Sequence, residues 1–126
     1  MIYAADPNAT TGDERSQRPF ETVTPLAGRL GLPLPEITYA LGQETQLASK
    51  IVSLTGVVLI SWGHKAIARA ILPAIANGQT LPGMPTKWDG ARFDVVLRFD
   101  RASPGAPWSF RQLCPRLLSG DSSSPM

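Results

Sequence analysis

The chain holds one cysteine, Cys114, and one histidine, His64, among its 126 residues. A single thiol excludes an intrachain disulfide. Cys114 precedes Pro115, borders a polar tail and lies far in sequence from the histidine. It therefore reads as structural or incidental rather than as a nucleophile paired with a base. One histidine and one distant cysteine do not make a zinc site, and neither a metal nor an organic cofactor is expected. No apolar stretch approaches the roughly 18 residues of a membrane span. The opening Met1-Ile-Tyr-Ala-Ala-Asp6 lacks the basic-then-apolar order of a secretory leader. The expectation is a cytoplasmic protein without membrane contact. Lysines and arginines are scattered, with a net charge of +2, which is too little to mark a nucleic-acid surface. Gly78-Gln-Thr-Leu-Pro-Gly83 has neither the spacing nor the lysine of a phosphate-binding loop, and no internal repeat is visible.

What is present is an ordinary globular composition, 43% hydrophobic and 17% charged, in a length that suits one core. The most informative segment is Val57-Val-Leu-Ile-Ser-Trp-Gly-His64-Lys-Ala-Ile67. An apolar, β-branched run stops at Gly63 and His64, and a helical pattern begins at once. Such a run, apolar on both faces, reads as a central strand. Around it the chain alternates. Ile2–Ala5 is a short strand, and 10–17 is a polar loop. A helix runs from Arg18 to Gly31, with Ser16 as its N-cap and Pro25 predicted to kink or divide it. A weak strand falls within 32–39, and a helix over 43–54 has Leu47, Ile51 and Leu54 on one face. The helix over 65–77 carries Ile67, Ile71 and Ile75, is kinked by Pro73 and is stopped by Asn77-Gly78. A Pro- and Gly-rich loop covers 79–92, a strand 93–99, and one more short element 108–113.

This alternation predicts an α/β fold, three-layered, with a mostly parallel sheet and helices on both faces. Residues 1–113 form the domain and 114–126 a disordered C-terminal tail. Trp62, Trp88 and Trp108 read as core or lid residues rather than as a base-stacking platform.

Three side chains fall at the carboxyl edge of that sheet, where open α/β folds bind ligands. His64 opens a helix directly behind a strand, where helix N–H groups favour anions, and a protonated imidazole there binds a phosphoryl oxygen well. The competing reading is a satisfied structural histidine. Arg18 opens a helix after a strand and a loop and can grip phosphate bidentately. Otherwise it is a surface arginine or the ion-pair partner of Glu14 or Glu21. Glu44 opens the next helix. It serves as a general acid for a leaving alcohol if its pKa is raised, and is otherwise a carboxylate stabilised by the helix dipole.

These segments resemble the histidine phosphatase superfamily, in its phosphoglycerate-mutase-like branch. Ser16-Gln-Arg18-Pro-Phe-Glu-Thr22, followed by Pro25-Leu-Ala27, is similar to the family's Ser-x-Arg-x-x-Gln/Glu-Thr motif. Arg18 matches the arginine that lines the phosphate pocket. Val57 to His64 is similar to the strand that ends in the family's second active-site histidine. Trp88-Asp-Gly-Ala-Arg-Phe-Asp94 and Val95-Val-Leu97 resemble the loop and strand that follow. The likeness spans about residues 2–100 of the chain.

The resemblance implies a phosphomonoester pocket. In the family a first histidine takes the phosphoryl group as a phosphohistidine. The second histidine and two arginines hold the developing charge, and an acidic residue protonates the leaving oxygen. This sequence departs sharply from the pattern. The nucleophile lies in an Arg-His-Gly motif ending the family's first, central strand, and no Arg-His-Gly occurs here. Ile2–Ala5 corresponds to the family's second strand, so the chain is expected to begin mid-fold, with an incomplete sheet. Gly63 stands where related sequences often carry a charge, and Glu44 matches no motif, so its acid role is positional only. The expected function is binding of phosphate or a phosphomonoester with little or no turnover. From a different class, the alternative is a non-catalytic interaction or oligomerisation module. It would self-associate through the sheet edge that a missing strand leaves open.

Overall fold

Two uncharged, proline-free runs far apart in sequence form the first sheet. The computed structural model describes residues 1–9 and 16–126. In it β1 (Ile2–Ala4) and β2 (Leu59–Ser61) pair in parallel, with Ile2 opposite Leu59 and Ala4 opposite Ser61. Side chains alternate across a strand, and the packing follows that alternation. Ile2, Ala4 and Leu59 pack with Val23 and Ala27 of α1 (Arg18–Arg29). Tyr3, Ala5 and Trp62 pack with Leu47, Ala48 and Ile51 of α2 (Glu44–Val52), and with Ile71 and Ile75 beyond β2.

The helix α1 begins at Arg18 as predicted, but Gln17 rather than Ser16 takes the cap position and makes no side-chain cap bond. The helix is continuous through Pro25, so the predicted division does not occur. Its end is set by Gly31, at φ 65°. There the Leu32 N–H bonds to Ala27 O at 2.9 Å and the Gly31 N–H to Gly28 O at 3.2 Å, the paired closure that a left-handed glycine permits. The polar loop predicted over 10–17 falls largely on 10–15, outside the described residues.

In place of the strand predicted within 32–39 there is one bridge, Tyr3 to Glu36. The Glu36 N–H donates to Ile2 O at 2.8 Å, and the Ala4 N–H donates to Glu36 O at 3.0 Å. Pro33 and Pro35 have no N–H to extend a ladder.

The helix after β2 has three parts: α3 (His64–Ala66), a π-helical turn over Ile67–Ile71, and α4 (Leu72–Ile75). The wide turn is marked by the Leu72 N–H bonding back to Ile67 O. It directly precedes Pro73, whose ring would crowd the Arg69 carbonyl in a regular α-helix. One extra residue in the preceding turn relieves that crowding. The predicted kink is therefore taken up as a widened turn. Asn77, at φ 52°, closes the end, with the Gly78 N–H bonded to Pro73 O at 2.9 Å.

The second sheet is an antiparallel pair, β3 (Val96–Asp100) and β4 (Ser109–Leu113), with Phe99 opposite Phe110. Phe99 also meets the Trp108 ring edge-on at 5.8 Å. Each sheet has two strands among the described residues, and the architecture is mixed α/β. The tail predicted to be disordered, 114–126, runs back to the acceptors and donors beside this hairpin. The Ser122 N–H donates to Asp94 Oδ2 at 2.7 Å, Arg92 Nη2 to Ser124 O at 2.8 Å, and the Met126 N–H to Gln112 Oε1 at 2.7 Å. No helix among the described residues is long and apolar enough to cross a membrane.

Candidate functional site

In a parallel pair both strands end on the same edge. The chain leaves β1 at Ala4 and later enters α1 at Arg18. It leaves β2 at Ser61 and enters α3 at His64. Gly63 is extended, at φ −66° and ψ 128°, and its carbonyl accepts the Ile67 N–H at 3.0 Å. The N–H groups of the first turn have no intrahelical acceptor, as at any helix start. The His64 side chain is exposed beside them, with its ring centroid 6.5 Å from that of Trp88. Trp88 lies in the 79–92 loop, and its Nε1 donates to Arg92 O at 3.0 Å. The Trp88 ring thus places the 79–92 loop beside the histidine.

Arg18 is exposed at the start of α1. Its Nε lies 3.5 Å from Ser16 Oγ, and its carbonyl accepts the Thr22 hydroxyl at 2.7 Å. Among the described residues it makes no ion pair with Glu21. A pairing with Glu14 falls outside them. Among the described residues, Ser16 Oγ is the one side-chain partner of the guanidinium.

Glu44 is buried, with 9% of its surface exposed. Its Oε1 accepts the Gly42 N–H at 2.9 Å and the Trp62 indole N–H at 3.0 Å. Burial pushes the carboxyl up, but these two bonds, together with one from its own backbone N–H, hold the group below the usual glutamate value. That is the opposite of the raised pKa a general acid calls for. Glu44 instead clamps Trp62, the residue between β2 and Gly63, to the first turn of α2. The sequence placed Glu44 at the correct end of α2. It missed the indole partner, which a tryptophan ending an apolar strand could have suggested, because a buried indole N–H needs an acceptor.

No hydrogen bond, ion pair or ring contact joins Arg18, Glu44 and His64 to one another among the described residues. Glu44 and His64 are linked through Trp62 and the chain. Arg18 is linked to them only by the parallel topology. No group of His, Cys, Asp and Glu among the described residues is arranged to hold a metal.

A groove of about 650 Å³ runs beside β2, lined by residues that include Leu59, Ile60, Ile71, Trp88, Leu97 and Phe99. None of Arg18, Glu44 and His64 lines it; Trp88 is shared between its wall and the histidine. The sequence implies an open sheet edge but does not show that these residues converge on it. Comparison of the chain with known protein families, with curated proteins and with solved structures finds no match.

Proposed function

We propose that this chain is a histidine-phosphatase-like domain that binds phosphate or a phosphomonoester at the carboxyl ends of β1 and β2. The architecture on this reading is a three-layer, mostly parallel α/β sheet with helices on both faces, and the groove beside β2 is the position of the family's central strand. One observation carries the reading. β1 and β2 are parallel neighbours, and the helices that follow them open on Arg18 and His64 respectively. An imidazole and a guanidinium that open the helices behind two neighbouring parallel strands are the donors this reading assigns to a phosphoryl dianion.

Within this site His64 and Arg18 bind the anion. Glu44 is a positioning residue, holding Trp62 and thus the turn that presents His64. Without an Arg-His-Gly nucleophile the covalent route is closed, so binding proceeds without turnover. The test is hydrolysis of para-nitrophenyl phosphate by the pure chain. Turnover at the buffer background is expected. Robust turnover abolished by His64→Ala would overturn the binding-only reading and make His64 itself the nucleophile.

A second reading, an interaction or oligomerisation module, is favoured by the outer edge of β2. The Leu59 N–H donates to Met1 O at 3.0 Å and Ser61 O accepts the Ala5 N–H at 3.3 Å. The main-chain groups of these two residues therefore face β1. The intervening Ile60 must point its N–H and C=O the other way, into the groove. Self-association at micromolar concentration, seen by sedimentation, supports use of this edge for oligomerisation; a clean monomer opposes it.

A further inference from the structure

We infer that the groove beside β2 is a slot for one extended, uncharged polypeptide strand, which pairs with β2 and sets apolar side chains against both of its walls. The inference rests on the reading of the β2 edge as an interaction surface, and names what occupies it.

The hydrogen-bonding chemistry comes first. Alternation along β2 turns the N–H and C=O groups of Val58 and Ile60 away from β1, and no strand pairs with that edge among the described residues. Both residues line the groove. Half-buried main-chain groups facing an apolar space are costly unless bonded. The ligand that supplies donors and acceptors at this spacing is another extended backbone.

The walls fix the rest. Val23 of α1 lines the groove on one face of β2, and Ile71 and Ile75 line it on the other. A strand seated there meets apolar surface above and below, as a strand buried on both faces does. Leu97 and Phe99 of β3 bound the far side. The lining thus runs from β2 on one side to β3 on the other.

Charge selects the occupant further. The two charged residues on the lining, Asp100 and Arg101, already have partners. Asp100 Oδ1 is held by Arg98 Nη2 at 2.9 Å. Arg101 Nη2 donates to Val52 O at 2.6 Å, and its guanidinium lies 4.3 Å from the Trp108 ring centroid. Neither is free to pair with an ion on the incoming strand, so a neutral, aliphatic segment fits.

The experiment follows amide hydrogen exchange in the whole chain by NMR, with a capped Val-Thr-Val-Thr-Val peptide as the probe. A second peptide, N-methylated at alternate residues, keeps the side chains but cannot donate along one edge. In the free chain the Leu59 and Ser61 amides are expected to exchange slowly and the Ile60 amide quickly. Millimolar unmethylated peptide should slow Ile60 by at least about tenfold, and the methylated peptide should not. Equal protection by both peptides, or no protection of Ile60, overturns the strand occupant. Sedimentation of the free chain separates the two levels of the argument. If a dimer protects Ile60 without peptide, the edge reading stands and the single-strand occupant falls. If Ile60 is slow in a free monomer, both fall.

Discussion

The Trp62 indole donates to Glu44 Oε1 at 3.0 Å, and the same oxygen accepts the Gly42 N–H at 2.9 Å. One buried carboxylate thus ties the start of α2 to the residue that follows β2, two positions before His64. Removing it strands a buried indole N–H. Glu44→Ala should cost about 1.5–3 kcal/mol, the range for losing a hydrogen bond to a charged acceptor. Glu44→Gln, which keeps an acceptor, should cost less. Urea denaturation of the three proteins checks the order.

The same carboxyl gives stability a pH dependence. Its folded pKa lies below its ordinary value of 4.5, because burial, which raises it, is outweighed by the bonds from Gly42, Trp62 and its own backbone N–H. A carboxyl lowered on folding stabilises the protein above its unfolded pKa, and that contribution is lost as pH falls through the folded value. The denaturation midpoint should therefore hold from neutral pH down to the ordinary glutamate range and fall below it. In Glu44→Gln the acid-side fall should be shallower. An unchanged slope in the variant would remove Glu44 from the account of acid stability.

Leu47 has no exposed surface and packs in the cluster with Tyr3, Trp62 and Ile71. Leu47→Ala should cost about 2–5 kcal/mol through lost burial and the cavity left behind. Val57, 88% exposed just before β2, should tolerate Val57→Ala within about 0.5 kcal/mol. Thermal or urea unfolding of the pair tests whether the core lies where the packing puts it.

Much of this arrangement was legible in the sequence where one signal dominated. The strand ending before His64 and the helix behind it follow from a β-branched run that stops at glycine. Arg18 and Gly31 bound α1 where proline tolerance and left-handed closure said they would. The expected strand within 32–39 is absent because Pro33 and Pro35 cost the ladder its donors, a conflict already visible in the sequence. Pro25 and Pro73 show what local rules leave open. Each removes a helical bond, yet α1 runs on, while the helix after β2 widens over Ile67–Ile71. The polar tail carries no local signal for its partners: Ser122, Ser124 and Met126 bond to Asp94, Arg92 and Gln112, residues distant in sequence. The general-acid reading of Glu44 is conditional on a raised pKa, and the carboxyl is lowered instead. Its pKa is set by Gly42 and by Trp62, and only folding brings the indole to the carboxylate.

The central claim is that Arg18 and His64 hold one anion between them. Titration of inorganic phosphate into the chain, followed residue by residue by NMR, tests it most directly. The account predicts saturable shifts at both Arg18 and His64 with one dissociation constant. His64→Ala and Arg18→Ala should each weaken binding by about tenfold or more, as loss of one charge-assisted bond implies. Shifts confined to one of the two residues, or variants that bind phosphate as the parent chain does, would contradict it.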